Sequence, residues 1–291
     1  MAQNHLYSYL EIPKDAPIKL KSSPGKGWGV FATRRIKKRS PILSKSALFV
    51  VERPHDKITE DDLIQHIQEL SAHQTVQYLL LGRGKASYKD PETWGVFLLQ
   101  SRFNHSCAAN SRSLTIGGGV ITKIATRYIA KGEEITANYD PNSKYETRKE
   151  RHKILRFACS CSVCCADPRS QQLSDMRRRL IRGLEYLRTV DPNLKRDAEN
   201  FGITLSSRFF YTVLTMFLLE EEKLLYYFEV DFYMRMLNKL ATMFESERNS
   251  RIAQSILKEK TCLERLLLGF TLYGQEDATD SYVDMLIPLS T

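Results

Sequence analysis

Ser101-Arg102-Phe103-Asn104-His105-Ser106-Cys107, followed about fifty residues later by Cys159-Ser160-Cys161-Ser162-Val163-Cys164-Cys165, are the two stretches whose joint reading decides the fold. The late cysteines at x and x-x spacing, with Cys107 as a remote fourth, supply the four thiolates that a closed zinc site needs. Tetrahedral zinc bound wholly by sulfur is structural, because a catalytic zinc keeps one position for water. One remote ligand would staple a late segment onto an earlier core, so Cys107 marks where the segment around residue 160 docks. The same thiols can also be read as a disulfide pair or as buried free cysteines. The opening Met1-Ala2-Gln3-Asn4-His5 has no charged start followed by an apolar run, so a reducing, intracellular setting, cytoplasmic or nuclear, is expected. That setting disfavours disulfides. Cys164 and Cys165 compete for the third local place; the spacing from Cys161 favours Cys164 and leaves Cys165 and Cys262 as ordinary thiols. The expected metal ligands are therefore Cys107, Cys159, Cys161 and Cys164.

The 291 residues suffice for one large or two moderate domains. The net charge of +9 is unevenly spread. Residues 1–168 hold 26 Lys and Arg against 16 Asp and Glu, whereas residues 169–291 hold 17 against 18. A basic first part attracts anionic ligands or acidic partners without defining a site. No basic run interleaved with aromatics appears, so direct reading of nucleic acid is not expected. The apolar run Phe209–Leu219 is followed by Glu220-Glu221-Glu222, too short for a membrane span and suited to a buried helix.

Along the chain, Ile18-Lys19-Leu20, the turn Ser23-Pro24-Gly25-Lys26-Gly27 and Gly29-Val30-Phe31-Ala32 read as strand and turn, continued by Ile42-Leu43 and Ala47–Val51. Thr59 with Asp62 three residues later signals a helix start, and Leu63, Ile64, Ile67 and Leu70 follow at helical spacing. Gly82, Gly84 and Pro91 end that insert. Val120–Ile124 and Glu134-Ile135-Thr136 read as strands around a turn at Lys131-Gly132. Beyond Pro168 the apolar residues Met176, Leu180, Ile181, Leu184 and Leu187 recur at three and four, so the remainder is helical, with breaks near Pro192 and Gly202. The fold class is α+β.

Four motifs stand in one order: Gly25-Lys26-Gly27-Trp28-Gly29-Val30-Phe31-Ala32, Ser101–Cys107, Gly132-Glu133-Glu134-Ile135-Thr136-Ala137-Asn138-Tyr139, and the cysteine cluster. The order resembles the SET-domain protein methyltransferases, most of all a fungal branch akin to the SET-and-MYND proteins but without the MYND zinc module. The resemblance implies a SET domain over residues 16–157, built of small β-sheets with a helical insert at about 53–94. It further implies a zinc-bound post-SET segment over 158–168 and a helical C-terminal domain over 169–291. It also implies roles. Lys26, Gly27 and Trp28 would bind the methionine part of S-adenosylmethionine through backbone groups. Asn104 and His105 would belong to the cofactor floor, with His105 a positioning group rather than a proton shuttle. Phe157 would pack on the adenine ring, and Tyr139 would stand beside the methyl-transfer channel as the catalytic residue. Glycines at 27 and 29 remove side chains where a backbone approaches a ligand or takes positive φ.

The chain departs from the family pattern at Ala109 (often Pro), Arg39 (often Gly), Lys45 (often Glu) and Ala137, where a large apolar residue is usual and a small one would widen the channel. The expected activity is S-adenosylmethionine-dependent methylation of a protein lysine. The alternatives are an enzyme of a fungal natural-product pathway acting on a small molecule in the same pocket, with the cofactor as an electrostatic element, and a non-catalytic binding module. Glu220, Glu221 and Glu222 are candidate acidic groups for a basic substrate.

Overall fold

The computed structural model describes residues 10–53, 57–79, 86–89, 94–117, 119–140, 143, 145–189, 205–225, 227–246, 254 and 258. The chain divides into two compact units, Met1–Ser174 and Asp175–Thr291.

In the first unit, β1 (Ile18–Ser23) and β2 (Gly27–Ala32) form a hairpin whose register pairs Ile18 with Ala32 and Ser23 with Gly27. Gly27 closes the turn with φ +75, a backbone state that only glycine adopts at little cost. A seven-stranded sheet continues through β10 (Glu134–Ala137), β8 (Ser111–Gly117), β9 (Val120–Ala125) and β3 (Pro41–Ser46), in the order β1-β2-β10-β8-β9-β3. The two-residue β7 (Asn104–His105) also pairs with β10, in parallel, with Ala137 opposite His105. Sequentially remote motifs thus become neighbours: β10 carries Glu134-Ile135-Thr136-Ala137 between the glycine hairpin and the Asn-His element. Val30, Ile129 and Ile135 are wholly buried at the centre of this core, with Phe103 and Ile36 beside them.

A smaller sheet, β4 (Phe49–Val51), β6 (Trp94–Phe97) and β5 (Ala86–Lys89), accompanies α1 (Glu60–Gln68) and α2 (Ala72–Leu79). The helix start expected at Thr59 is a complete capping box: Asp62 N–H donates to Thr59 Oγ1 at 3.3 Å and Thr59 N–H to Asp62 Oδ2 at 2.9 Å. The insert is half β, however. Trp94-Gly95-Val96-Phe97 pairs antiparallel with Phe49–Val51, so its apolar run serves a second core around Val51, Tyr78 and Val96. Gly82, Gly84 and Pro91 lie outside the described residues.

α3 (Arg148–Leu155), absent from the sequence reading, is also opened by a capping box, between Thr147 and Glu150. It ends at Arg156, whose φ of +60 turns the chain toward the cysteines.

α4 (Pro168–Thr189) spans the division between the units. The second unit holds α5 (Leu205–Glu221) and α6 (Tyr227–Ser246), with Ile181, Met216, Leu219, Leu224 and Leu237 buried. The apolar run at 209–219 is a helix, as expected. Of the acidic triplet at its end, Glu220 and Glu221 are exposed and Glu222 is not available to a substrate. Glu222 is buried, accepting from Arg177 Nε at 2.7 Å and from the wholly buried Arg178 at 2.8 Å. The breaks near Pro192 and Gly202, and Cys262, lie outside the described residues. Among the described residues no helix is long and apolar enough to cross a membrane.

Candidate active site and metal centre

β10 organises the site through Glu134. Its carboxylate accepts from Asn104 Nδ2 at 2.7 Å and pairs with Lys26 Nζ at 3.3 Å. Asn104 Nδ2 also donates to Trp28 O at 3.3 Å, so the amide hydrogens of Asn104 tie the Asn-His loop to both the glycine hairpin and β10. This explains Gly29, whose φ is not positive. A Cβ there would stand 2.4 Å from Glu134 Oε1 and 2.7 Å from Asn104 Nδ2, so the glycine makes room for the carboxylate–amide pair. At Gly27, by contrast, nothing lies within 4 Å of where a Cβ would sit, and the turn leaves open space on that side.

A second clamp escaped the sequence reading. Asn110, 1% exposed, donates from Nδ2 to Glu133 Oε1 and to Glu134 O, both at 2.9 Å, and accepts from Thr136 N–H at 2.8 Å. Ala109, where the resemblance expects Pro, is buried, and its carbonyl accepts from Thr126 Oγ1 at 3.1 Å. Burial alone would raise the carboxyl of Glu133. Hydrogen bonds from Arg127, the Ala130 N–H and Asn110 hold it below the usual range.

His105 is buried, and both of its ring nitrogens are engaged. Tyr139 N–H donates to Nδ1 at 3.2 Å, and Nε2 lies 3.4 Å from Cys107 Sγ. Desolvation, with smaller contributions from the Arg151, Lys26 and His152 charges, lowers its pKa to about 4, so the ring is neutral at physiological pH. Asn104 through Nδ2 and His105 through both ring nitrogens thus brace the loop. The His105 ring meets Tyr139 at 5.2 Å and Phe157 at 6.1 Å, both edge-on. Tyr139 is 52% exposed and Phe157 45%, large apolar surface left open beside the buried His105 ring. Desolvation raises the phenol of Tyr139 above its ordinary value, with Arg102 opposing and Glu134 adding, so the hydroxyl keeps its proton at neutral pH.

Ala137 is 8% exposed and belongs to the main apolar core with Phe103, Leu99 and Ile135. A larger residue there meets packed side chains, so Ala137 does not by itself widen an open channel.

Cys107, Cys159, Cys161 and Cys164 are all buried, with their sulfurs within 4.8 Å of one another. Cys107 Sγ is 3.6 Å from Cys164 Sγ and 3.9 Å from Cys159 Sγ, against about 3.8 Å between sulfurs on a tetrahedral zinc with bonds of about 2.3 Å. The expected ligand set is thus assembled, and Cys165 is exposed outside it. The surroundings suit a thiolate cluster: Cys161 N–H donates to Cys159 Sγ at 3.5 Å, while the buried Arg151 donates to Cys107 Sγ from Nε at 3.2 Å and approaches Cys164 Sγ at 3.6 Å. Left to share protons among themselves, Cys161 and Cys164 are driven down and Cys107 and Cys159 up. Only a bound cation lets all four ionise together. Zinc fits this donor set. His152 holds the loop from α3 by accepting from Cys159 N–H at 3.2 Å.

Residues 27–140 match the SET domain family. Among curated proteins, the chain is similar to the histone-lysine N-methyltransferase set5 of Schizosaccharomyces pombe, 33% identical over 184 residues, covering 58% of this chain and 56% of that protein. It is also similar to the protein-lysine N-trimethyltransferase SMYD5 of Danio rerio, 35% identical over 106 residues, covering 34% of this chain and 26% of that protein. A solved structure of a putative histone methyltransferase from Plasmodium falciparum aligns with a TM-score of 0.30 at 20% identity, covering 44% of this chain and 96% of that one. The chain spans little more than half of the first relative and about a quarter of the second. The matched span runs from the hairpin glycine through the Asn-His-Ser-Cys element to the residue after Tyr139, so the chain carries a SET domain, α+β in class, at residues 27–140.

Proposed function

We propose that the protein is an S-adenosylmethionine-dependent methyltransferase acting on lysine side chains of a protein, with zinc as a structural ion at the four cysteines. The observation that carries this reading is the convergence of three chain segments. The open turn at Gly27, the half-exposed rings of Tyr139 and Phe157, and the braced Asn104–His105 loop all belong to one compact unit. Lys26, Gly27 and Trp28 would offer backbone groups to the methionine part, Asn104 and His105 backbone groups to the nucleoside, and Phe157 a ring for the adenine. When bound, the cofactor supplies a methyl group on a positively charged sulfonium. Tyr139 would then act through its protonated hydroxyl, directing an oxygen lone pair and an O–H into the transfer path and aligning a neutral amine. The lysine ammonium would have to lose its proton before transfer, because only the neutral amine has a lone pair to offer the methyl.

The relatives' names give a protein lysine as the methyl acceptor, which is the reading adopted for this chain. The bulkier small-molecule substrate considered above loses one of its motives, because Ala137 is packed into the core. An intracellular setting, cytoplasmic or nuclear, agrees with four reduced thiols brought together for a metal.

The test is cofactor titration by calorimetry followed by mass analysis of lysine methylation on a panel of basic and mixed-charge proteins. Tyr139→Phe should keep cofactor affinity and lose about tenfold to a thousandfold in rate. Cofactor binding without methyl transfer to any protein lysine would overturn the substrate class, and a full rate in Tyr139→Phe would remove Tyr139 from the reaction.

A further inference from the structure

Tyr139 lies two residues beyond the end of β10, where the ladder no longer holds the chain. Ala137 is its last paired residue, opposite His105, and Ser106 N–H donates to Ala137 O at 3.0 Å. Past that point the Tyr139 N–H donates to His105 Nδ1 at 3.2 Å. A backbone N–H can only donate, so Nδ1 is an acceptor and the ring proton sits on Nε2, which faces Cys107 Sγ at 3.4 Å. The imidazole therefore joins the backbone of Tyr139 to a sulfur of the cysteine cluster by two bonds running in one direction. Arg151 Nε reaches the same sulfur at 3.2 Å, so Cys107 Sγ receives two N–H donors from two elements.

A thiolate held by a cation is a fixed acceptor, whereas a free thiol rotates about its Cα–Cβ bond and spends its own proton on a neighbour. The His105 ring also meets the edges of Tyr139 and Phe157, so its tilt sets both aromatic walls.

We infer that His105 is a positioning residue that couples metal occupancy at Cys107, Cys159, Cys161 and Cys164 to the placement of the Tyr139 backbone. The coupling rests on the reading of the four cysteines as a zinc centre. It makes the metal more than a staple: an emptied centre frees the imidazole, and the freed imidazole releases the strand end that carries the tyrosine. Arg151 acts on the same sulfur as a charge partner and does not touch Tyr139 in this chain of bonds.

The experiment follows amide hydrogen exchange by NMR on the full chain of known zinc content, before and after graded chelation, in wild type, His105→Phe and His105→Gln. In wild type, chelation should speed exchange at the Tyr139 amide roughly tenfold, as expected for loss of one hydrogen bond, while amides of the β1–β2 hairpin stay protected. His105→Phe should show a fast Tyr139 amide with zinc still bound and no further response to chelation, together with faster zinc release. His105→Gln, whose amide can accept and donate in the same sense, should restore part of the response. A Tyr139 amide that responds to chelation equally in His105→Phe and wild type overturns the coupling, as does a wild-type amide that ignores chelation. The second outcome decides the matter even where His105→Phe fails to fold. Metal analysis at the outset finding no zinc would overturn both the centre and the coupling. Because the readout is a backbone amide and not methyl transfer, failure of the proposed enzyme activity leaves this result intact and separable.

Discussion

The two units are held together by different physics. Around the site, the first unit relies on buried polar side chains that bridge distant segments: Asn104 to Glu134, Asn110 to Glu133 and Thr136, Arg151 to Cys107. The second unit, in its described residues, relies on apolar helix packing around Met216, Leu219 and Leu237, joined by a buried ion cluster, Glu222 between Arg177 and Arg178. Apolar packing degrades by increments when trimmed. A polar bridge, once cut, leaves its remaining partner buried and unsatisfied, which costs about 1–3 kcal/mol for each such group. The functional half should therefore be brittle at a few named atoms and the helical half tolerant except at Glu222.

The largest expected effect is at the metal centre. Cys107→Ser should reduce bound zinc from about one per chain to near none and loosen the segment after Leu155, because a site of this kind contributes folding energy outright. Elemental analysis of the purified variant checks this, and full zinc occupancy would refute the ligand assignment. Next comes the buried ion cluster of the helical unit. Glu222→Leu removes the carboxylate that accepts from Arg177 and from the wholly buried Arg178 and should cost about 3–5 kcal/mol by denaturant unfolding. Zinc content should not change. If the variant lost zinc as well, the division of labour between the units would be wrong.

The sequence carried the parts of the site that are local in the chain. The cysteine spacing could be read because three ligands lie within six residues, and the Thr59 capping box because an amphipathic run follows it. The same kind of signal at Thr147 and Glu150 announces no helix in the sequence, since Arg148-Lys149-Glu150-Arg151-His152-Lys153 shows no apolar period. Only afterwards does Arg151 prove to be buried against two sulfurs. Asn110 and Glu222 were unreadable for the same reason. Their burial depends on partners 23 to 45 residues away, and nothing in the neighbouring sequence distinguishes them from surface polar residues. Gly29 was correctly marked as needing the absence of a side chain, but its reason is the Glu134–Asn104 pair and not a left-handed backbone.

Lys123 on β9 sharpens the comparison from the opposite side, as a buried cation in the first unit with modest compensation. It donates to Ser113 Oγ at 2.8 Å and lies 4.9 Å from the Phe103 ring centroid, and burial lowers its pKa from 10.5 to about 8. Between those two values the unfolded chain binds a proton that the folded chain has released, so stability rises with pH through that window. Below about pH 8 the penalty is fully present, at most about 3 kcal/mol before the Ser113 and Phe103 contacts are set against it. Lys123→Met should therefore be more stable than wild type at pH 7 and should lack the rise toward pH 10. Urea unfolding at several pH values measures both, and parallel pH profiles would show that the amine is not the titrating group.

The smallest expected effect concerns a departure from the family pattern. Arg39 stands where glycine is often found, and its φ of +69 puts an L side chain in the left-handed region, at about 1–2 kcal/mol for an ordinary residue. The turn itself is well bonded: Arg39 N–H donates to Ala125 O at 2.9 Å and Ser40 N–H to Lys37 O at 3.2 Å, so the strain is held by the backbone on both sides. Arg39→Gly alone is an ambiguous test, because it removes the strain, the side chain's own interactions, and some order from the folded chain at once. Arg39→Ala supplies the control. It removes the side chain's interactions but keeps the Cβ in the left-handed state, so the gap between the two variants reports the backbone alone. That gap should favour glycine by about 1 kcal/mol after glycine's greater unfolded-state entropy is allowed for. Equal stability of the two variants would mean that the turn relaxes when the arginine is removed. The first unit would then be less brittle at this turn than at its polar bridges.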